Sequence, residues 1–168
     1  VSIMENKRGK VSFFHSISMK VGLLSIGIVL LSIIGSVTNA AMKMERELNG
    51  VYSDYILSLA ETEAAVVSNL PETADLALYK NVIGEVAMEG IESSYAYLVA
   101  EDGTMLYHPS EEKIGHPVEN TVVQAVVAEL KSGAVPEDKV VLYDYQGSMK
   151  YAAYAVSDDK KIVVITAD

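Results

Sequence analysis

The 168-residue chain has no cysteine, and beyond its apolar stretch it has a single arginine, Arg46. Without cysteine there is no disulfide framework, no thiol nucleophile, no cysteine-ligated zinc or iron–sulfur centre and no lipid-anchor cysteine. Scarcity of arginine in an acidic body excludes a phosphate-backbone partner, which needs clustered Lys and Arg, so no nucleic acid is expected. Internal repeats and low-complexity tracts are also missing. So are a nucleophile elbow, a phosphate loop and an acid–base pair with a reason for perturbed acidity, and the chain reads as a non-enzyme.

What is present is unevenly distributed. All residues from Val21 to Ala41 are uncharged, and no charge separates Lys20 from Lys43. Residues 1–20 carry four basic residues against one acidic, a leader of +3, while residues 42–168 carry nine basic and 22 acidic, a body of −13. About 20 apolar residues span a hydrocarbon core, so 21–41 reads as one transmembrane helix. Its glycines and serines suit close helix contacts. The basic leader places the amino end in the cytoplasm and residues 42–168 outside the cell. A rival reading stays open: a cleaved signal peptide ending near Thr38-Asn39-Ala40, which would release a secreted binding module. A pilin-like subunit is set aside, because no glutamate follows Gly9 at the required place.

The body is rich in Val, Ile, Leu, Ala and Tyr and is long enough to bury a core. Apolar residues at 44, 48, 52, 55, 59, 66 and 70 predict one face of a long helix ended by Pro71, a stripe able to pack on its own sheet or on a second copy. Residues 72–92 are expected to be helical, ending near Gly90. Period-two alternation then predicts strands at Ser94–Ala100 and Met105–His108 around an Asp102-Gly103 turn. A helix is expected over Thr121–Lys131, capped by Asn120 or Thr121. Three further strands, Val140–Tyr145, Met149–Val156 and Ile162–Ala167, follow. The sum is an α+β domain with one five-stranded antiparallel sheet and a long N-terminal helix.

Several segments resemble a known family. Tyr95-Ala-Tyr-Leu-Val-Ala-Glu-Asp-Gly-Thr-Met-Leu-Tyr-His-Pro109, then Lys113-Ile-Gly-His-Pro117, Lys150-Tyr-Ala-Ala-Tyr154 and Ile162-Val-Val-Ile-Thr166 are similar to the single Cache domain of bacterial methyl-accepting chemotaxis receptors. The resemblance covers residues 42–168. It implies a PAS-like sheet outside the membrane, a small-molecule ligand, frequently an organic acid, and a homodimer signalling inward. Such receptors continue into a second membrane helix, a HAMP linker and a cytoplasmic coiled coil, so residues 1–168 are expected to be a receptor's sensing portion. The same sensor could feed a histidine kinase or diguanylate cyclase instead.

Candidate ligand contacts are Tyr95, Tyr97, Tyr107, Tyr143, Tyr145 and Tyr154, with Lys150 and His108. Hydroxyls converging in an apolar pocket suit a small ligand. Alternation puts Tyr95 with Tyr97 on one face and Tyr143 with Tyr145 on one face, without fixing whether the faces coincide. Lys150 shares a strand face with Ala152 and Tyr154 and can neutralise a carboxylate as a point charge. His108 can donate to a carboxylate, or simply end its strand with Pro109. A metal site from His108, Glu111, Glu112 and His116 is not expected, since no tight ligand pair sits on one helix, and no cofactor is expected. Glu111-Glu112 and Asp158-Asp159 read as solvated turns.

Overall fold

The computed structural model describes residues 17–88, 91, 93–145 and 147–167. Most of the basic leader, Gly90 at the expected end of the second helix, and Gln146 in the turn expected between the third and fourth strands lie outside those residues. The chain divides into two units, Val1–Leu48 and Asn49–Asp168.

Helix α1 runs from Ile17 to Ser68. In the first unit its side chains are exposed nearly throughout, including the large apolar ones from Val21 to Val37. The two bonded hydroxyls of this stretch are turned back onto the helix: Ser25 donates to the Val21 carbonyl at 2.9 Å and Thr38 to the Ile34 carbonyl at 2.8 Å. Such i−4 bonds satisfy a side-chain hydroxyl within the helix itself. Among the described residues, α1 is the one helix long and apolar enough to cross a membrane.

In the second unit α1 buries Ile56, Ala60, Ala64 and Val67. This corrects the predicted stripe. Tyr52, Leu59 and Leu70 do pack on the core, but Tyr55 is 49 % and Val66 40 % exposed. A stripe of large residues leaves out Ala60 and Ala64, which are buried in the core with Ile56 and Val67. Helix α2 is also shorter than expected. It spans Leu76–Ile83, not 72–92. The Asp75 carboxylate accepts from the Leu78 amide at 3.0 Å and so fixes the start. Gly84 follows the last turn, and a Cβ there would lie 2.9 Å from the Tyr107 hydroxyl.

Strands β1 (Tyr95–Val99), β2 (Met105–Tyr107), β3 (Lys139–Tyr145), β4 (Ser148–Val156) and β5 (Ile162–Ala167) form one antiparallel sheet in the order β2-β1-β5-β4-β3. This is the expected α+β, PAS-like arrangement. Helix α3 occupies Thr121–Lys131 as predicted. The Asp102-Gly103 turn forms because Gly103 adopts φ +93 and the Asp102 carboxylate accepts from the Thr104 amide at 2.8 Å. Those hydrogen bonds hold the Asp102 carboxyl below its ordinary range.

Alternation along each strand sorts the core into two faces. Leu98, Ala153, Val163 and Ile165 meet α1 and α2 on one side. Val99, Ala152, Tyr154, Ile162 and Val164 meet Val123, Val126, Val127 and Leu130 of α3 on the other. The candidate site lies on this second face.

Candidate functional site

Six of the eight predicted contacts border one small cavity on the α3 face: Tyr95, Tyr97, His108, Tyr143, Tyr145 and Lys150. The two tyrosine pairs therefore share a face. Register explains the grouping. Tyr143 lies opposite Lys150 across β3 and β4, Ala152 lies opposite Thr166 across β4 and β5, and Thr166 lies opposite Tyr95. The methyl side chain of Ala152 leaves room between the tyrosines. The cavity measures about 40 Å³.

A bulge selects which β2 side chain reaches it. Leu98 pairs with Tyr107 but the next residue, Val99, pairs with Met105, so β2 has one residue more than β1 at this point. That extra residue reverses the faces. Met105 and His108 border the cavity, whereas Tyr107 packs with the α1–α2 core and lines a separate cleft of about 360 Å³ beside Leu76, Lys80 and Ile114. Tyr154 is on the α3 face but lies outside the cavity. It is buried in the α3 core, and its hydroxyl is near Lys139 and Asp138.

The rings of Tyr95, Tyr97 and His108 form a cluster, with centroids 6.2 Å apart for the tyrosines and 5.3 and 5.5 Å from each to the imidazole. His108 Nδ1 accepts from the Ser110 amide at 2.9 Å, which leaves Nε2 to carry the ring N–H. Burial, and then the Lys113 charge, lower its pKa, against the Ser110 hydrogen bond and the Glu119 charge. Burial is also the main reason that the Tyr97 hydroxyl is pushed well above its ordinary value, followed by Tyr143 and Tyr95. The Lys150 ammonium stands 5.7 Å over the Tyr145 ring.

Sequence reasoning did not single out six polar or apolar neighbours that complete the wall: Met105, Lys113, Val118, Glu119, Asn120 and Thr166. Asn120 was legible only as a helix cap. It does both: Oδ1 accepts from the Val122 amide at 2.9 Å, and Nδ2 donates to the Tyr97 hydroxyl at 3.3 Å. Lys113 and Glu119 are 3.4 Å apart at the rim. Thr166 was signalled by being the one hydroxyl in an otherwise apolar strand. Among the described residues, no three His, Asp or Glu side chains are gathered to hold a metal.

No protein-family model and no curated protein matches the chain. Solved structures do. It is similar to the ligand-binding domain of the Pseudomonas aeruginosa PAO1 amino acid chemoreceptor PctC in complex with GABA, at 19 % identity and a TM-score of 0.40, covering 55 % of this chain and 39 % of that one. The ligand-binding domain of Mlp24 with asparagine matches at 12 % identity and 0.42, covering 56 % and 35 %. The periplasmic sensory domain of the Campylobacter jejuni chemoreceptor Tlp1 matches at 20 % identity and 0.39, covering 53 % and 34 %. The chain thus spans a little over a third of the length of these structures.

Two predictions follow from the local geometry. Asn120→Ala should cost about 1 kcal/mol through the lost cap, while Asn120→Asp keeps the acceptor and restores most of that stability although the bond to Tyr97 is gone. Urea unfolding followed by tyrosine fluorescence, the natural signal of a chain with no tryptophan and ten tyrosines, measures both. Equal losses in the two variants would mean that the cap is not the stabilising element.

The second concerns pH. The folded chain favours neutral His108, so the unfolded chain binds the proton more readily. The contribution is complete above the ordinary value of 6.5 and is lost as pH falls from there through the lower folded value. Wild type should therefore lose more stability than His108→Gln between pH 7.5 and 5. Identical slopes would contradict a neutral, buried ring.

Proposed function

We propose that the chain is the ligand-sensing portion of a transmembrane bacterial chemoreceptor of the Cache type, binding a small organic carboxylate outside the cell and signalling inward through α1. The observation that carries the reading is the convergence of four tyrosines, His108 and Lys150 on one small cavity. The ring N–H of His108, the tyrosine hydroxyls and the Lys150 ammonium are donors suited to a carboxylate, and a cationic wall favours an anion. A space of about 40 Å³ suits a ligand of few heavy atoms. Ligand would favour one arrangement of sheet and helix over another, and only that difference in affinity can move a signal. The motif resemblance supports the receptor class, and the apolar, exposed half of α1 with its basic leader supports membrane anchoring with the second unit outside.

Calorimetric titration of the full chain in detergent with formate, acetate and propionate tests the ligand class, with ethylamine as the cationic control. Binding of the acids alone is expected; binding of the amine alone would overturn it. Because the chain has no native cysteine, single cysteines at Ser2 and Ser132 report topology directly. In intact cells an impermeant maleimide should label the Ser132→Cys protein and spare the Ser2→Cys protein.

A further inference from the structure

Among the described residues, nothing accounts for the hydroxyl of Thr166. All six residues of β5 are buried and the other five are Ile, Val or Ala. Thr166 is 2 % exposed, and its Oγ1 has no hydrogen-bond partner among the described residues. The two buried serines are treated differently. The Ser94 hydroxyl accepts from the Met88 amide at 2.6 Å and donates to the Ile91 carbonyl at 2.8 Å. That of Ser157 donates to Asp159 at 2.6 Å and accepts from the Lys161 amide at 2.9 Å. A buried hydroxyl left unpaired is costly. Valine would fill the same volume, suits a strand at least as well, and already stands at 163 and 164.

The hydroxyl borders the tyrosine cavity. Its neighbour on β4 is Ala152, and two residues along the same face of β4 is Lys150. Such diagonal neighbours on adjacent strands have Cα atoms roughly 7–8 Å apart, within reach of long side chains. Lys150 and Thr166 therefore flank the gap above Ala152. An acid that spans this gap can set its carboxylate toward Lys150 and its next carbon toward Thr166.

On the carboxylate reading of this site, we infer that Thr166 is a specificity-determining contact. Its hydroxyl selects acids bearing a hydroxyl or keto oxygen beside the carboxylate over the same acid lacking it. A hydroxyl both donates and accepts, so either oxygen completes it. A buried polar group left unpaired by the wrong ligand discriminates more strongly than a matching apolar wall does.

The test titrates propionate and L-lactate into the full chain in detergent, as wild type, Thr166→Val and Thr166→Ser, with thermal unfolding of each ligand-free protein alongside. Wild type should bind lactate at least about tenfold more tightly than propionate. Thr166→Val should bring that ratio close to one by weakening lactate alone, and should unfold at the same or a higher temperature because an unpaired polar group is gone. Thr166→Ser should keep the preference. The inference is overturned if Thr166→Val retains the preference, or if it unfolds at a lower temperature, which would reveal a structural partner for the hydroxyl. Acids that bind wild type with no preference overturn this inference and leave the carboxylate reading standing. Failure of every acid to bind overturns both.

Discussion

Replacing Lys150 with alanine is expected to weaken binding of short carboxylates by about ten- to a hundredfold while leaving the unfolding temperature nearly unchanged. The asymmetry follows from where the side chain sits. Lys150 is three residues into β4, partly exposed, and its ammonium stands over the Tyr145 ring, which is itself at the surface. Exposed cation–π and ion-pair contacts contribute about 1 kcal/mol or less to folding. A carboxylate in the adjoining cavity, by contrast, exchanges much of its hydration for whatever charge the wall supplies, so the same ammonium counts for more in the complex than in the free protein. Lys150→Arg keeps the charge and should retain part of the affinity. Calorimetry and thermal unfolding of the same preparations separate the two effects. Unchanged affinity in the alanine protein would clear Lys150 of any role and turn attention to Lys113.

The opposite asymmetry is expected at Leu98. This side chain is completely buried on the face covered by α1 and α2, within the cluster that holds Ile56, Ala60, Val67 and Ile83. Leu98→Ala removes several methyl and methylene groups from a packed interior and leaves a cavity. The expected cost is about 2–5 kcal/mol, a fall in midpoint on the order of 10 °C. Leu142, half exposed on β3, serves as the control, where the same change should be close to neutral. Acid binding by Leu98→Ala at a temperature where it is still folded should resemble wild type, because Leu98 lies on the face opposite the candidate cavity. A loss under 1 kcal/mol would mean that the helices do not seal that face.

Much of this arrangement was legible in the residues. The Asp-Gly pair, the two-residue alternation and the Asn120 cap are local signals, and the turn, the strands and α3 lie where those signals put them. Features that depend on distant packing were not. The buried face of α1 includes Ala60 and Ala64, which carry little hydrophobic weight in a sequence pattern. The short α2 reflects a capping aspartate that the apolar spacing around it concealed. Tyr107 and His108 are the clearest case: simple alternation from Met105 puts Tyr107 on the tyrosine face and His108 off it. One extra residue in β2 exchanges them, and no composition rule announces a bulge of that kind. Thr166 was visible as a polar residue in an apolar strand, but only its burial and missing partner give it meaning.

The sheet order has a mechanical consequence for the site. Strand β5 lies between two neighbours with every side chain buried, whereas β3 is an edge with one neighbour and mostly exposed or half-buried side chains. Opening free energy follows such differences, highest for central strands and lowest for an edge hairpin. The wall bearing Thr166 and the wall bearing Tyr143 and Tyr145 are thus of unequal stiffness. On the proposed reading, a ligand would be admitted by yielding of β3 alone, and the strain it imposed would be referred to the rigid centre of the sheet, on whose far side α1 is packed.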